Sequence, residues 1–76
     1  MEPEPQSGLG RAVRSLREET GIDRPALAKQ ADLSPALIAE IESGRSDPTW
    51  GDMRKVAEAL GVTLEALSEL AEELED

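Results

Sequence analysis

The 76-residue sequence contains no cysteine, histidine, tyrosine or phenylalanine, and Trp50 is its single aromatic residue. Without cysteine, the chain cannot form a disulfide or a thiolate metal site. Without histidine, it lacks both the commonest metal ligand and the commonest general base. The carboxylates fall in solvated runs rather than convergent pairs, and no phosphate-binding loop is present. We therefore predict a protein that is not an enzyme and holds neither a metal nor a cofactor.

Basic residues are also scarce: eight Lys and Arg stand against 17 Asp and Glu, for a net charge of −9 at pH 7. The acid lies mainly at the two ends, since residues 1–8 carry −2 and residues 68–76 carry −5. Residues 9–67 hold every basic residue and carry only −2. A nucleic-acid-binding surface is normally basic, so the overall charge argues against DNA binding, and the nearly neutral middle of the chain weakens that objection.

Long apolar runs are absent as well, and no stretch approaches the roughly 20 residues that a membrane-spanning helix needs. The first residues, MEPEPQSG, have neither the basic segment nor the apolar segment of a secretory signal. We predict a cytoplasmic protein without membrane contact, built as one small domain. Residues 1–8 alternate Glu and Pro before Gln-Ser-Gly, which predicts a disordered acidic tail.

Apolar residues recur at helical spacing in five segments, and no segment has strand character. Helix-capping residues precede four of these segments: Asp23, Ser34, Thr49 and Thr63. The helices are expected at Leu9–Thr20, from Arg24 to about Ala31, from about Pro35 to Ser43, from Trp50 to about Leu60, and from Leu64 to at least Leu74. Trp50, in the first turn of the fourth helix, is expected to be a half-buried packing residue.

The segment from Arg24 to Gly44 predicts two short helices that meet at a tight corner. Asp32 occupies the corner, where a residue in the left-handed conformation is often needed and Asp is among the few that tolerate it. Two helices joined in this way form a helix-turn-helix unit, whose second helix can lie in the major groove of DNA.

The whole pattern from Leu9 to Leu67 resembles the Cro/CI-type (Xre-like) helix-turn-helix family. The matching residues are Leu9-Gly10, Leu16-Arg17, Gly21-Ile22, Leu27-Ala28, Leu33-Ser34, Ile38, Ile41-Glu42, Gly44, Pro48, Ala57 and Leu60-Gly61-Val62. The resemblance implies an all-α, compact five-helix, lambda-repressor-like DNA-binding domain over residues 9–67, followed by the acidic end of the fifth helix over residues 68–76. It also implies a dimer, as in many members, and a role as a transcriptional regulator, phage repressor or antitoxin.

Two of the matched residues, Arg17 and Glu42, are charges placed beside apolar neighbours. A bidentate contact between guanidinium and carboxylate would allow both to be partly buried. The resemblance suggests that the two residues form a structural ion pair.

The family resemblance also places five residues near the start of the third helix against base edges: Pro35, Ala36, Leu37, Ala39 and Glu40. Only Glu40 can hydrogen-bond through its side chain, for example to a cytosine amine, while Ala36 or Leu37 could touch a thymine methyl group. Glu40 could equally be a solvated charge, and Leu37 a packing residue. The absence of Arg, Asn and Gln here predicts weak or shape-based specificity.

The sequence offers more residues suited to phosphate contacts than to base contacts. Five are candidates for phosphate binding: Arg24, Ser34, Arg45, Ser46 and Thr49. Arg24 opens the second helix, Ser34 and Thr49 sit at helix N-termini, and Arg45 and Ser46 follow the third helix. Arg11 and Arg14 are expected to be surface charges, and Arg14 can pair with Glu18 one helical turn away.

The fifth helix extends an apolar stripe through Leu70 and Leu74, which are candidates for a dimer interface. The alternative, that this part of the helix packs on its own domain, is equally open. We predict a small regulator that binds double-stranded DNA through the third helix as a homodimer. The alternative is a protein-interaction module, because the third helix, PALIAEIES, is apolar and acidic.

Overall fold

The computed structural model describes residues 8–75. Within that range the chain forms helices only: α1 (Gly8–Thr20), α2 (Arg24–Ala31), α3 (Pro35–Ser43), α4 (Trp50–Ala59) and α5 (Leu64–Glu73). The predicted all-α, five-helix fold is confirmed. Among residues 8–75, no helix combines the length and apolarity that a membrane crossing requires.

Helix caps explain where these short helices begin. The Asp23 carboxylate accepts a hydrogen bond from the backbone N–H of Ala26 at 2.9 Å, and the Ser34 hydroxyl accepts one from Leu37 at 3.1 Å. Each bond satisfies an N–H that the helix itself leaves without a partner. Asp32 adopts the left-handed conformation between α2 and α3, with φ of 59° and ψ of 44°. The corner expected near residue 32 is therefore present.

The core takes side chains from all five helices. Its fully buried apolar residues are Ala12, Val13, Leu27, Ala28, Ala31, Ile38, Ile41, Val56, Ala57, Leu60 and Leu67. Measured over whole residues, no polar or charged residue within 8–75 is buried to the same degree, although the side chain of Glu42 alone is only 2% exposed. Because the third helix turns Ile38 and Ile41 inward, its other side remains available to a partner.

Gly8 corrects the expected limit of the N-terminal tail. The sequence pattern includes Gly8 in the predicted disordered segment 1–8, yet Gly8 is buried and begins α1. Its backbone N–H donates to the Glu75 carboxylate at 3.1 Å, and a Cβ atom here would overlap the carbonyl oxygen of Ala71. A glycine in a low-complexity segment carries no apolar signal, so the pattern missed this contact. The rest of the predicted tail, residues 1–7, lies outside the described residues.

The end of α5 packs against the start of α1. Leu70 and Leu74 are half-buried against the core, and Arg11 donates to the backbone carbonyl of Leu74 at 3.0 Å. The helix ends at Glu73, so the predicted acidic helix end over residues 68–76 is too long. Successive carboxylates meet the negative end of the helix dipole there, and α5 has no basic residue in its own last turn.

Gly10 marks the closest approach of α1 to the end of α3. A Cβ atom at this position would lie 2.5 Å from the carbonyl oxygen of Ile41 and 2.6 Å from that of Glu42. Both obstacles are backbone atoms, so neither can rotate away. The two helices can pack this closely only because the residue has no side chain.

Gly10→Ala is therefore expected to lower the free energy of unfolding by about 2 kcal/mol, through separation of the two helices. Gly51→Ala is the matched control, because Gly51 lies in a helix with only the Thr49 hydroxyl near its missing Cβ, at 3.7 Å. That change should raise stability by about 0.5–1 kcal/mol. Urea titration of both variants measures the difference, and equal effects would contradict the close packing.

Candidate nucleic-acid interface

The exposed side of α3 is open to solvent over its first two turns. Pro35, Ala36 and Glu40 are exposed, whereas Leu37 and Ala39 are half-buried between that surface and the core. This arrangement follows from the burial of Ile38 and Ile41, which fixes the rotation of the helix. All five residues expected to face bases are thus at least partly accessible, and Glu40 remains the one among them with a hydrogen-bonding side chain.

Glu42, at the end of α3, accepts hydrogen bonds from two arginines on two other helices. Arg17 of α1 approaches side-on: its Nε donates to Oε2 at 2.7 Å, and its Nη2 donates to Oε1 at 3.2 Å. Arg24 of α2 donates from Nε to Oε1 at 3.0 Å. The Glu42 side chain is only 2% exposed, so the ion pairs compensate a carboxylate that has lost nearly all its water.

The expected pair between Arg17 and Glu42 is present, and it also holds the turn after α1. Arg17 Nη1 donates to the backbone carbonyl of Ile22 at 3.0 Å. The hydrogen bond to Glu42 raises the pKa of Arg17 above its usual value, although burial acts in the opposite direction. The guanidinium of Arg17 is therefore charged at neutral pH, as the ion pair with Glu42 requires.

Arg24 combines a structural contact with an accessible charge. Its side chain remains 46% exposed while its Nε contacts Glu42. The two terminal nitrogens of a guanidinium carry four further N–H donors, and the two on its end-on edge face away from an Nε contact. The sequence suggested a phosphate-binding role for Arg24 and gave no sign of the Glu42 contact, because the two residues lie on different helices.

A shallow depression of about 410 Å³ lies beside α3 and collects three arginines: Arg14, Arg24 and Arg45. Ala39, Glu40, Glu42 and Ser43 complete its lining. Four of the predicted DNA-contact residues, Arg24, Ala39, Glu40 and Arg45, thus come together here. Arg14 was expected to be an ordinary surface charge, and it does form the expected pair with Glu18, at 3.2 Å. Its place in the depression depends on helix packing that the local sequence does not report.

The local charge differs in sign from that of the chain. The lining of the depression carries three guanidinium groups, those of Arg14, Arg24 and Arg45, against the two carboxylates of Glu40 and Glu42, for a local net charge of +1. The whole chain carries −9. This region is therefore a basic patch on an acidic protein.

The remaining candidates lie outside the depression, and two of them serve as helix caps. The exposed Ser34 and Thr49 each accept a backbone N–H of the following helix. At Thr49 the Asp52 carboxylate also accepts from the Thr49 backbone N–H, at 3.5 Å, which completes a capping box. The Asp52 carboxylate occupies the positive end of α4. The helix N-terminus at Thr49 therefore attracts a phosphate less strongly than the sequence predicts. Ser46 is half-buried in the loop after Arg45.

Trp50 is a correction, because its side chain is 68% exposed rather than half-buried. As the first residue of α4, it has no preceding helical turn to cover it. The neighbours on either side are Thr49 and Gly51, which are too small to shield an indole ring. Helical spacing alone did not reveal this, since Trp50 lies at the edge of the apolar face of α4.

Comparison with known proteins agrees with this architecture. The sequence profile of the helix-turn-helix domain matches residues 8–70. The immunity repressor protein of Bacillus phage phi105 is 32% identical over 59 residues, covering 78% of this chain and 41% of the repressor. A candidate multi-protein-binding factor 1 from Yarrowia lipolytica is 29% identical over 62 residues, covering 82% of this chain and 41% of the factor.

Among solved structures, the clp gene regulator ClgR from Corynebacterium glutamicum superimposes with a TM-score of 0.85 at 32% identity, covering 93% of this chain and 78% of ClgR. Three features define a helix-turn-helix protein: the all-helical fold of residues 8–75, the corner at Asp32 between α2 and α3, and the solvent-exposed side of α3. The chain belongs to the Cro/CI-type helix-turn-helix family. It spans about two fifths of the length of the phage repressor and of the multi-protein-binding factor, 41% in both cases.

Arg17→Ala is expected to lower the free energy of unfolding by about 3 kcal/mol, because it removes the shorter of the two contacts to a buried carboxylate. Arg14→Ala is the matched control: both partners of its pair are more than half exposed, at 61% and 57%. An exposed pair of this kind contributes about 0.5 kcal/mol or less. Thermal and urea unfolding of both variants measure the difference. Equal melting temperatures for Arg17→Ala and the unmodified protein would refute the structural role of the pair.

Proposed function

We propose that this protein is a small transcriptional regulator that binds double-stranded DNA through α3. The observation that carries the proposal is the basic patch of Arg14, Arg24 and Arg45, which borders the open side of α3 on an otherwise acidic chain. The relatives named as a phage repressor and a gene regulator support the same function. In this fold a helix in the major groove needs cations beside it, because phosphate contacts fix its position.

Arg24 is the best-placed phosphate ligand of the three. Its contact with Glu42 reduces the number of side-chain conformations, so less entropy is lost when the guanidinium binds an anion. The same contact leaves the terminal N–H groups available for bidentate binding to phosphate. Arg45 is exposed in the loop after α3, and Arg14 must first leave the exposed Glu18 carboxylate, which costs little.

Sequence specificity in this proposal comes mainly from DNA shape. Glu40 is the one side chain on the open surface of α3 suited to reading a base edge, and its charge opposes the phosphates on either side. Ala36 and Leu37 offer apolar contacts to thymine methyl groups. Such a surface distinguishes sites by deformability and groove width more than by hydrogen bonds, so we expect a modest ratio of specific to non-specific affinity.

The protein acts in this proposal as a homodimer in the cytoplasm, without enzymatic activity. Two-fold symmetric helix-turn-helix dimers bind half-sites about one helical turn of DNA apart. The sequence makes Leu70 and Leu74 candidates for the dimer contact and leaves packing on their own domain equally open. Their packing against the chain's own core favours the alternative that this end of α5 serves its own domain.

A second candidate function is binding to a partner protein through α3. The exposed part of that helix is apolar and acidic, and a relative bears the name of a multi-protein-binding factor. This function predicts a stable mixed complex with a basic protein in size-exclusion chromatography. It also predicts no shift of DNA at micromolar protein in low salt.

The test of DNA binding begins with selection of bound fragments from a random DNA library. Affinity for the selected fragment is then measured by fluorescence anisotropy over a range of salt concentrations. Arg24→Ala and Arg45→Ala should each weaken binding by about tenfold, equivalent to about 1.4 kcal/mol, because each removes one charge-assisted contact. Each should also reduce the slope of log affinity against log salt by about 1.

Lys55→Ala is the control, since it removes the same charge from a position beside Asp32 and Glu58, outside the basic patch. It should leave both the affinity and the salt slope unchanged. Failure to select any DNA at low salt would overturn the proposed function, and so would equal losses in all three variants.

A further inference from the structure

The depression beside α3 brings together groups that bind opposite kinds of ligand atoms. Its guanidinium groups come from three elements: Arg14 from α1, Arg24 from α2 and Arg45 from the loop after α3. The carboxylate of Glu40 lines the same depression. The volume of about 410 Å³ falls within the roughly 300–1,000 Å³ of small-molecule sites. The depression therefore has room for a small molecule that carries both negative charge and hydrogen-bond donors.

Glu40 and Arg45 place opposite charges in this depression without pairing them. Gly44 adopts the left-handed conformation, with φ of 78°, and the Arg45 backbone N–H donates to the Glu40 carbonyl oxygen at 2.9 Å. The chain thus turns back at the end of α3 and returns Arg45 to the last turn of the helix. Among residues 8–75, neither side chain forms an ion pair or a hydrogen bond. Both side chains are exposed, so both charges are available to a ligand.

Duplex DNA suits only the cationic half of this arrangement. Its phosphates match the three arginines, but the Glu40 carboxylate repels them. In the major groove, guanine presents the acceptors O6 and N7, while its N1–H and N2–H groups are directed toward the paired cytosine and the minor groove. These two N–H groups are adjacent donors that match the two oxygens of a carboxylate. A guanine base outside a duplex offers both of them to Glu40.

We propose that the depression binds a free guanine nucleotide with two or more phosphate groups, in competition with DNA. The three arginines contact the phosphates, whose charge lies on directly joined phosphorus atoms and can be shared by several guanidinium groups. Glu40 accepts the N1–H and N2–H groups of guanine. The nucleotide regulates the DNA-binding surface, and this regulatory role rests on the proposed function. Nucleotide binding itself does not require DNA.

The two carboxylates of the lining favour this ligand over simpler anions. Glu42 is already paired with Arg17 and Arg24, so the Glu40 carboxylate is the one that a ligand must accommodate. An inorganic anion meets Glu40 as a like charge, which is unfavourable. A uracil nucleotide offers a single N–H between two carbonyl oxygens, and those oxygens repel a carboxylate. Guanine supplies two donors at the same place and turns the opposing charge into a binding group.

The test measures nucleotide binding to the full chain without DNA, by two-dimensional NMR titration of the isotope-labelled protein. GDP should bind with a Kd below about 1 mM. UDP and pyrophosphate should each bind about tenfold more weakly, because neither gives Glu40 its two donors. The amides of Glu40, Ser43 and Arg45 should show the largest changes of chemical shift with GDP.

Two variants separate the phosphate contacts from the base contact. Arg45→Ala should weaken the binding of GDP and pyrophosphate by about tenfold, because it removes one charge-assisted contact. Glu40→Gln should reduce the preference for GDP over UDP and pyrophosphate to about twofold or less, and it should strengthen pyrophosphate binding. Neither residue forms an ion pair among residues 8–75, so both variants should fold. Circular dichroism melts establish this.

Lys55→Ala is the matched control, because it removes a positive charge outside the depression. It should leave the affinities for GDP, UDP and pyrophosphate unchanged. Competition is then measured by fluorescence anisotropy with the DNA fragment selected for the proposed function. At constant ionic strength, GDP should displace the DNA, and UDP at the same concentration should displace much less.

Equal affinities for GDP, UDP and pyrophosphate would overturn the proposal, as would a preference for GDP that survives Glu40→Gln. Absence of GDP binding at millimolar concentration, or simultaneous binding of GDP and DNA, would also overturn it. These outcomes are separate from the failure of DNA binding. A protein that selects DNA but does not bind GDP contradicts the proposed nucleotide site alone, whereas one that binds GDP but selects no DNA contradicts the proposed function alone.

Discussion

The buried carboxylate of Glu42 organises the molecule, because residues from three helices meet at its two oxygens. Arg17 brings α1 to the end of α3, and Arg24 brings the start of α2 to the same point. A carboxylate with 2% of its side chain exposed is unfavourable without such partners. The arrangement therefore favours the one packing in which all three helices converge. The same convergence holds Arg24 at the edge of α3, so a contact that serves stability also prepares the proposed phosphate-binding surface.

The basic patch shows how an acidic chain can offer a surface suited to DNA. Seven of the 17 carboxylates belong to residues 1–8 and 68–76, at the two ends of the sequence. Within the patch, the Glu42 carboxylate is already paired with two arginines. Coulomb interactions between exposed charges fade over about 8 Å at physiological ionic strength, so the local charge governs contact with a phosphate. The net negative charge of the whole chain opposes non-specific association with nucleic acid.

Sequence reasoning succeeded where the determinants are local. Asp23 and Ser34 cap helices through residues three positions away, and Asp32 adopts its left-handed conformation within a single turn. The pair of Arg17 and Glu42 followed from the family resemblance. Contacts between helices were missed when no such pattern marked them. How the helices cross decides three features: the hydrogen bond from Arg24 to Glu42, the position of Arg14 in the depression and the exposure of Trp50. Gly8 has no side chain, so its burial leaves no apolar pattern in the sequence.

The joining of α1 and α5 has a consequence for the dynamics of the fold. The N–H of Gly8 donates to the Glu75 carboxylate, and Arg11 donates to the carbonyl of Leu74, so the first turn of the domain and its last residues hold each other. Helix ends normally fray independently, but here an opening at one end removes the partner of the other. Exchange of the Gly8 amide with deuterated solvent should therefore report on the order of the C-terminal turn, more than sixty residues away along the chain.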